Sequence, residues 1–258
     1  MKSEEQPGHH WREPDRVAQY LESSDLRDRE RAAGLSLMTR LVNAEKDARL
    51  NILDVGSGHG PVAALCLHAF PNAHAIGLDI SDAMMAEGYR LMARFGDRFR
   101  YIVGDFGEGR LPQNAVQAGS YDLVVSSRAI HHLPPKLMQS LYADIYANLK
   151  PGGAFFNLDT ASPENDFLAD LFRSIRRTDR SSGSPRDPNE VSHSVSFHHH
   201  REATLARHME WLKEAGFVSY DCFWKHLGMA LIGGWRGPIN VERLKKLLGA
   251  RETRSRLL

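Results

Sequence analysis

Short apolar runs alternate with amphipathic stretches through the middle of the chain. Strand-length runs rich in apolar and β-branched residues fall at 51–55, 74–79, 99–104, 121–126 and 153–159. Between them, 61–69, 82–94 and 135–148 repeat apolar positions at helical spacing, and a short helix is expected near 112–118. Regular alternation of this kind predicts a parallel sheet covered by helices on both faces. Leu149-Lys150-Pro151-Gly152-Gly153 reads as a helix stop and turn, because proline cannot continue the helix and the glycines reverse the chain.

The flanks pattern differently. The first dozen residues are polar and expected to be loose. From Asp15 to Asn43 the spacing predicts helix, with Val17, Tyr20 and Leu21 as one apolar cluster, an interruption at Ser23-Ser24-Asp25, and Ala33, Leu37 and Leu41 as a second. Beyond 159, a helix over 164–177 leads into a polar, broken stretch from Thr178 to Asn189, expected to be a flexible lid-like loop. A helix over 203–215 stops at Gly216, and two runs in quick succession, 218–224 and 228–234, predict an antiparallel hairpin. The final helix, 241–248, reads as an appendage. The predicted organisation is an N-terminal helical cap over 1–48, a core domain over 49–237 with a lid-like insertion near 161–202, and a helical tail over 238–258.

Composition bounds the function. Lys and Arg number 33 against 32 Asp and Glu, so no global field draws the chain to nucleic acid or a membrane surface. Cys66 and Cys222 lie in apolar runs and read as buried thiols of a reducing compartment. No signal peptide or membrane-spanning run is recognisable. These features predict a soluble cytoplasmic protein, monomer or homodimer, acting on a small molecule.

The chemistry concentrates at Asp54-Val55-Gly56-Ser57-Gly58-His59-Gly60-Pro61, where a strand enters a glycine turn and then a helix with proline at its first position. The second run closes on Asp79, which corresponds to the ribose-binding acid of nucleotide folds. An adenosine-containing cofactor at the edge of a parallel sheet follows. Where a dinucleotide turn needs its third glycine, Pro61 stands, and no basic residue replaces it to hold phosphate.

This turn resembles the first motif of the class I S-adenosylmethionine-dependent methyltransferases, an acid followed by G-x-G-x-G, and the likeness extends from Leu50 to Gly234. The resemblance implies an α/β, Rossmann-like fold: a doubly wound, seven-stranded, mostly parallel sheet with a terminal antiparallel hairpin. It implies S-adenosyl-L-methionine as cofactor and S-adenosyl-L-homocysteine as product. The cofactor would lie against Asp54, Gly56, Ser57, Gly58 and Gly60, with Asp79 and Ile80 at the ribose and Asp105 and Phe106 at the adenine. Tyr121 to Ser126 looks like the fourth strand and Ser127-Arg128-Ala129-Ile130-His131-His132-Leu133 like the segment that lines the methyl-transfer site, with Ser126 and Arg128 as cofactor contacts. Ala215-Gly216-Phe217, before the sixth strand, is similar to the generic small-molecule branch.

Each residue has a plainer role beside this one. Asp54 orients the turn or touches the cofactor; Asp79 caps the next helix or binds ribose; Phe106 is core or adenine contact. Tyr20 stands between lid contact and core. Arg31 suits a bidentate grip on the cofactor's carboxylate, though Arg27 and Arg29 are equally available. His131 and His132 are candidate catalytic bases with pKa values suited to neutral pH, or loop braces. A base is optional here: alignment can supply roughly 7–11 kcal/mol, and general base catalysis adds about 10²- to 10⁴-fold.

The run His198-His199-His200 invites a metal, but adjacent residues on a regular element cannot all face one ion, and no cysteine or carboxylate pair completes a set. No metal is expected. His198, His199 and the stacking candidate Trp224 are instead expected to touch substrate. The leading reading is therefore methyl transfer from S-adenosylmethionine to an O, N or C nucleophile of a small molecule. The helix–AGF–hairpin ending is also similar to carboxy-S-adenosylmethionine synthases of tRNA wobble-uridine modification. Their carboxylate-holding arginine corresponds here to Trp211. A cofactor-binding regulatory module without catalysis is the third reading.

Overall fold

A computed structural model describes residues 11, 13–22, 24–116, 121–181 and 203–255. Seven strands form one sheet: β1 (Asn51–Val55), β2 (His74–Asp79), β3 (Phe99–Val103), β4 (Tyr121–Ser127), β5 (Leu149–Thr160), β6 (Ser219–His226) and β7 (Met229–Trp235). Their order is β3-β2-β1-β4-β5-β7-β6. The first five run parallel, and β7 enters antiparallel between β5 and β6.

Residues alternate between two cores along each central strand, as the pleat requires. Leu53, Val55, Val124 and Phe155 face one layer with α5 (Pro135–Asn148) and α7 (Leu205–Ala215). Ile52, Leu123, Val125, Phe156 and Leu158 face the other, with α2 (Ser24–Arg40) and α3 (Pro61–Ala69). Burial on both faces is why these strands read as unbroken apolar runs. Gly34 lets α2 cross the sheet closely: a Cβ there would stand 2.9 Å from Leu158 Cδ1 and 3.1 Å from Trp224 Cε3. No described helix is long and apolar enough to cross a membrane.

Element boundaries differ from expectation in instructive places. The N-terminal helical region is two helices, α1 (Pro14–Glu22) and α2. The helix expected near 112–118 is a single turn over 113–115 with 117–120 outside the described residues. Tertiary bonds supply its polar groups instead: Leu111 N–H donates to Asp144 Oδ2, and Tyr121 Oη donates to the Ala115 carbonyl. The Pro-Gly-Gly turn is taken into β5 as a bulge, where pairing jumps from Tyr121↔Leu149 to Leu123↔Ala154. α4 (Asp82–Met92) passes into a 3₁₀ turn, α6 runs Asp166–Ser181, and α8 reaches Ser255. The lid expected from Thr178 onward lies mostly outside the described residues.

Candidate functional site

The strand order reverses at β1, between β2 and β4, and the carboxyl ends of these strands open a crevice there. Gly56, Gly58 and Gly60 turn the chain over that crevice with φ of 68°, 55° and 90°. Gly56 permits no side chain, since its Cβ would lie 2.1 Å from that of Ala129. Two carboxylates hold the turn from beneath. Asp79 Oδ2 accepts from Gly58 N–H at 2.7 Å and Oδ1 from Ser81 N–H at 2.9 Å. Asp54 Oδ2 accepts from Ala63 N–H in α3 at 3.0 Å. From above, Tyr101 Oη donates to the Gly58 carbonyl at 3.0 Å.

Burial dominates the electrostatics. It pushes the Asp54 carboxyl up to about 7, against the Ala63 N–H and with help from Asp79. Burial also raises Asp79, opposed by the N–H groups of Ser81, Gly58 and Ile80.

Together these elements line a cleft that opens to solvent at the carboxyl ends of β1, β2 and β4. Of the residues singled out from sequence, Gly56, Ser57, Gly58, Asp79 and Ile80 line its glycine side. Asp105, Phe106, Arg128 and His132 come from the loops after β3 and β4, and Tyr20 and Arg31 from α1 and α2. Arg31 is 3% exposed, and its Nη1 donates to Ser127 Oγ at 2.7 Å.

Other candidates stand elsewhere. Asp54 and Gly60 support the turn without lining the cleft. Ser126 is fully buried, donating from Oγ to the Val55 carbonyl at 2.8 Å, which ties β4 to β1. Trp224 packs against Gly34 of α2 rather than toward the cleft. Its position on β6, two strands beyond β5, sets it apart from the switch point. His198 and His199 lie outside the described residues, as does His200. Among the described residues no three His, Cys, Asp or Glu side chains gather as a metal site would require.

The two histidines separate. His131 is buried, with Nδ1 2.6 Å from Asp159 Oδ1 and its backbone N–H on Oδ2. Burial alone would raise Asp159, but the His131 ring and the N–H groups of His131 and Thr160 hold its carboxyl well below the usual range. His132 instead faces the cleft, where Nε2 accepts from Trp11 Nε1–H at 3.1 Å.

Ser127 and Ala129, in the segment read from sequence as lining the methyl-transfer site, and His59 of the glycine motif also line the cleft, together with Trp11 and Met84, which were not singled out. Trp11 belongs to the stretch expected to be loose.

The cleft's polar inventory fits an adenosyl amino-acid cofactor. Arg128 takes a left-handed φ of 57°, a conformation costly for a side chain. Its buried Nε has no hydrogen-bond partner, nor has Ser57 Oγ. A carboxylate-bearing ligand in the cleft would supply Arg128 Nε with an acceptor. With the N–H groups of Gly58, Ser81 and Ile80 on Asp79, its carboxylate would keep acceptor capacity for a ribose hydroxyl.

Residues 52–153 match a family model described as a methyltransferase domain. Over 108 residues the chain is 34% identical to sterol 24-C-methyltransferase of Yarrowia lipolytica, covering 41% of this chain and 26% of the relative. It is 34% identical over 123 residues to the ubiquinone/menaquinone biosynthesis C-methyltransferase of Methylobacterium nodulans, covering 46% of each. The chain thus spans less than half the length of these curated relatives. Human N-acetylserotonin methyltransferase, solved in complex with S-adenosylmethionine, shares the fold at a TM-score of 0.60 and 17% identity, over 92% of this chain and 61% of that one. Over 52–153 the chain is thus similar to methyltransferase domains, and its seven-stranded sheet shares the fold of a solved S-adenosylmethionine-dependent methyltransferase.

Proposed function

We propose that the chain transfers a methyl group from S-adenosylmethionine to an O, N or C nucleophile of a small molecule. The observation that carries this reading is the cleft itself: a glycine turn bare of side chains, a ribose-suited carboxylate and two arginines converge at the sheet's switch point. When bound, the cofactor supplies an electrophilic methyl group on a sulfonium. The chain's own residues do the rest. Asp79 accepts from the ribose hydroxyls, Asp105 accepts from the adenine amine with Phe106 against the ring, and Arg31 and Arg128 grip the carboxylate. Gly56 and Gly58 admit the cofactor to backbone contact. His132 Nε2, once released from its bond with Trp11, would take a proton from an acceptor, and His131, fixed by Asp159, braces the loop that carries it.

Relatives named for C-methylation support including carbon among the acceptors. The position that corresponds to the carboxylate-holding arginine of carboxy-S-adenosylmethionine synthases is Trp211, buried in the α5–α7 layer, which gives that reading no support. We propose further that 1–48 caps a methyltransferase domain over 49–237 with 238–258 as a tail, in a cytoplasmic monomer or homodimer. Calorimetry with S-adenosylmethionine, followed by detection of S-adenosylhomocysteine across a metabolite panel, tests the assignment. Binding with turnover is the expected result. Binding without turnover on any acceptor supports a regulatory module, and absence of binding overturns the reading.

A further inference from the structure

One wall of the cleft is closed by the chain's own indole. Trp11 stands ahead of α1, meets Tyr20 edge-on at 5.1 Å between ring centroids and 83° between planes, and meets His132 at 5.7 Å and 67°. Its Nε1–H donates to His132 Nε2. A neutral imidazole has one acceptor nitrogen, so this bond puts the lone pair of His132 on Nε2, directed at the indole. All three side chains line the same cleft. The indole therefore marks a slot with two demands: a ring that packs edge-on against Tyr20, and a donor hydrogen that reaches His132.

We infer that this slot is the methyl-acceptor subsite, and that its ligand is a flat aromatic ring bearing an O–H or N–H donor, which displaces Trp11 and takes over its bond to His132. A neutral phenol or N–H heteroaromatic is the class that meets both demands, the ring against Tyr20 and the donor hydrogen on His132. The inference deepens the methyl-transfer reading and rests on it.

The test uses three matched probes on the full chain, with and without S-adenosylhomocysteine: 2-naphthol, its methyl ether, and the saturated decahydro-2-naphthol. An indole that occupies the slot most of the time reduces apparent affinity by the fraction of open slot, so Trp11→Ala is expected to bind 2-naphthol about tenfold tighter than the wild type. Trp11→Phe keeps a ring without the donor and is expected to fall between them. The ether and the saturated alcohol bind weakly throughout, and adding His132→Ala removes the gain. Unchanged or weaker 2-naphthol binding in both Trp11 variants overturns the inference, as does equal binding of the saturated alcohol. Should Trp11→Ala fail to fold, Trp11→Phe decides alone. Failure of S-adenosylhomocysteine to bind the wild type sinks the methyl-transfer reading instead, a separate outcome from the naphthol series.

Discussion

At Asp79 one carboxylate does two jobs. It holds the glycine turn through Gly58 N–H and starts α4 through Ser81 N–H, while its remaining lone pairs face the cleft. Asp79→Ala removes a charged acceptor, a loss worth about 1–3 kcal/mol, and S-adenosylhomocysteine affinity measured by calorimetry is expected to drop accordingly. Unaltered affinity would count against the ribose role. Asp79, Gly56 and Gly58 were legible in sequence because their chemistry is local: turn glycines and a strand-ending acid at fixed spacing. Trp11 and the Arg31–Ser127 bond were not legible. Their partners lie 121 and 96 positions away, and nothing local in a polar N-terminal stretch foretells such a contact. His131 and His132 looked equivalent in sequence, and only the fold separates the one facing Asp159 from the one facing the cleft.

Between neighbouring elements the fit is set by missing side chains. Gly88 of α4 lies so close to β3 that a Cβ would come within 1.8 Å of Tyr101 Oη, the hydroxyl that holds the Gly58 carbonyl. Gly88→Ala is expected to cost about 1–3 kcal/mol by overpacking. Cofactor affinity should fall as well, although Gly88 itself does not line the cleft. Adding Tyr101→Phe, which makes room, should recover part of the stability but not the affinity. Denaturant unfolding and calorimetry on the double-mutant cycle read both terms. Strands were legible because doubly buried runs leave an unmistakable apolar signature. Boundaries such as the β5 bulge were not, since sheet pairing with β4 decides how far a Pro-Gly-Gly segment is drawn in.

Across the whole molecule, two buried groups tilt stability in opposite directions with pH. Asp54 ionises near 3.8 when unfolded but near 7 when folded, because burial favours its neutral form. Between these values the folded chain holds the extra proton, so stability falls as pH rises, by about 4 kcal/mol in all. His208, buried with Nδ1 3.0 Å from Tyr142 Oη, is drawn from 6.5 down to about 4 by burial. There the unfolded chain holds the extra proton, and stability rises with pH by about 3 kcal/mol. The slopes oppose one another up to pH 6.5, above which that of His208 is spent and that of Asp54 persists to about pH 7. Asp54→Asn is therefore expected to gain stability relative to the wild type from pH 5 to about 7 in urea unfolding and to level off above it. Parallel curves would refute the buried-carboxyl account.

The placement of β7 has a consequence for biosynthesis. Strand β5 is flanked by β4 on one side, but its other neighbour is the last strand to leave the ribosome. A nascent chain that has completed α7 still exposes an open row of backbone donors and acceptors beside Phe155, Phe156 and Leu158. A chain cut after α7 is expected to pair with its copies along this edge, and a truncation ending at Ala215 should sediment as aggregate where the full chain does not.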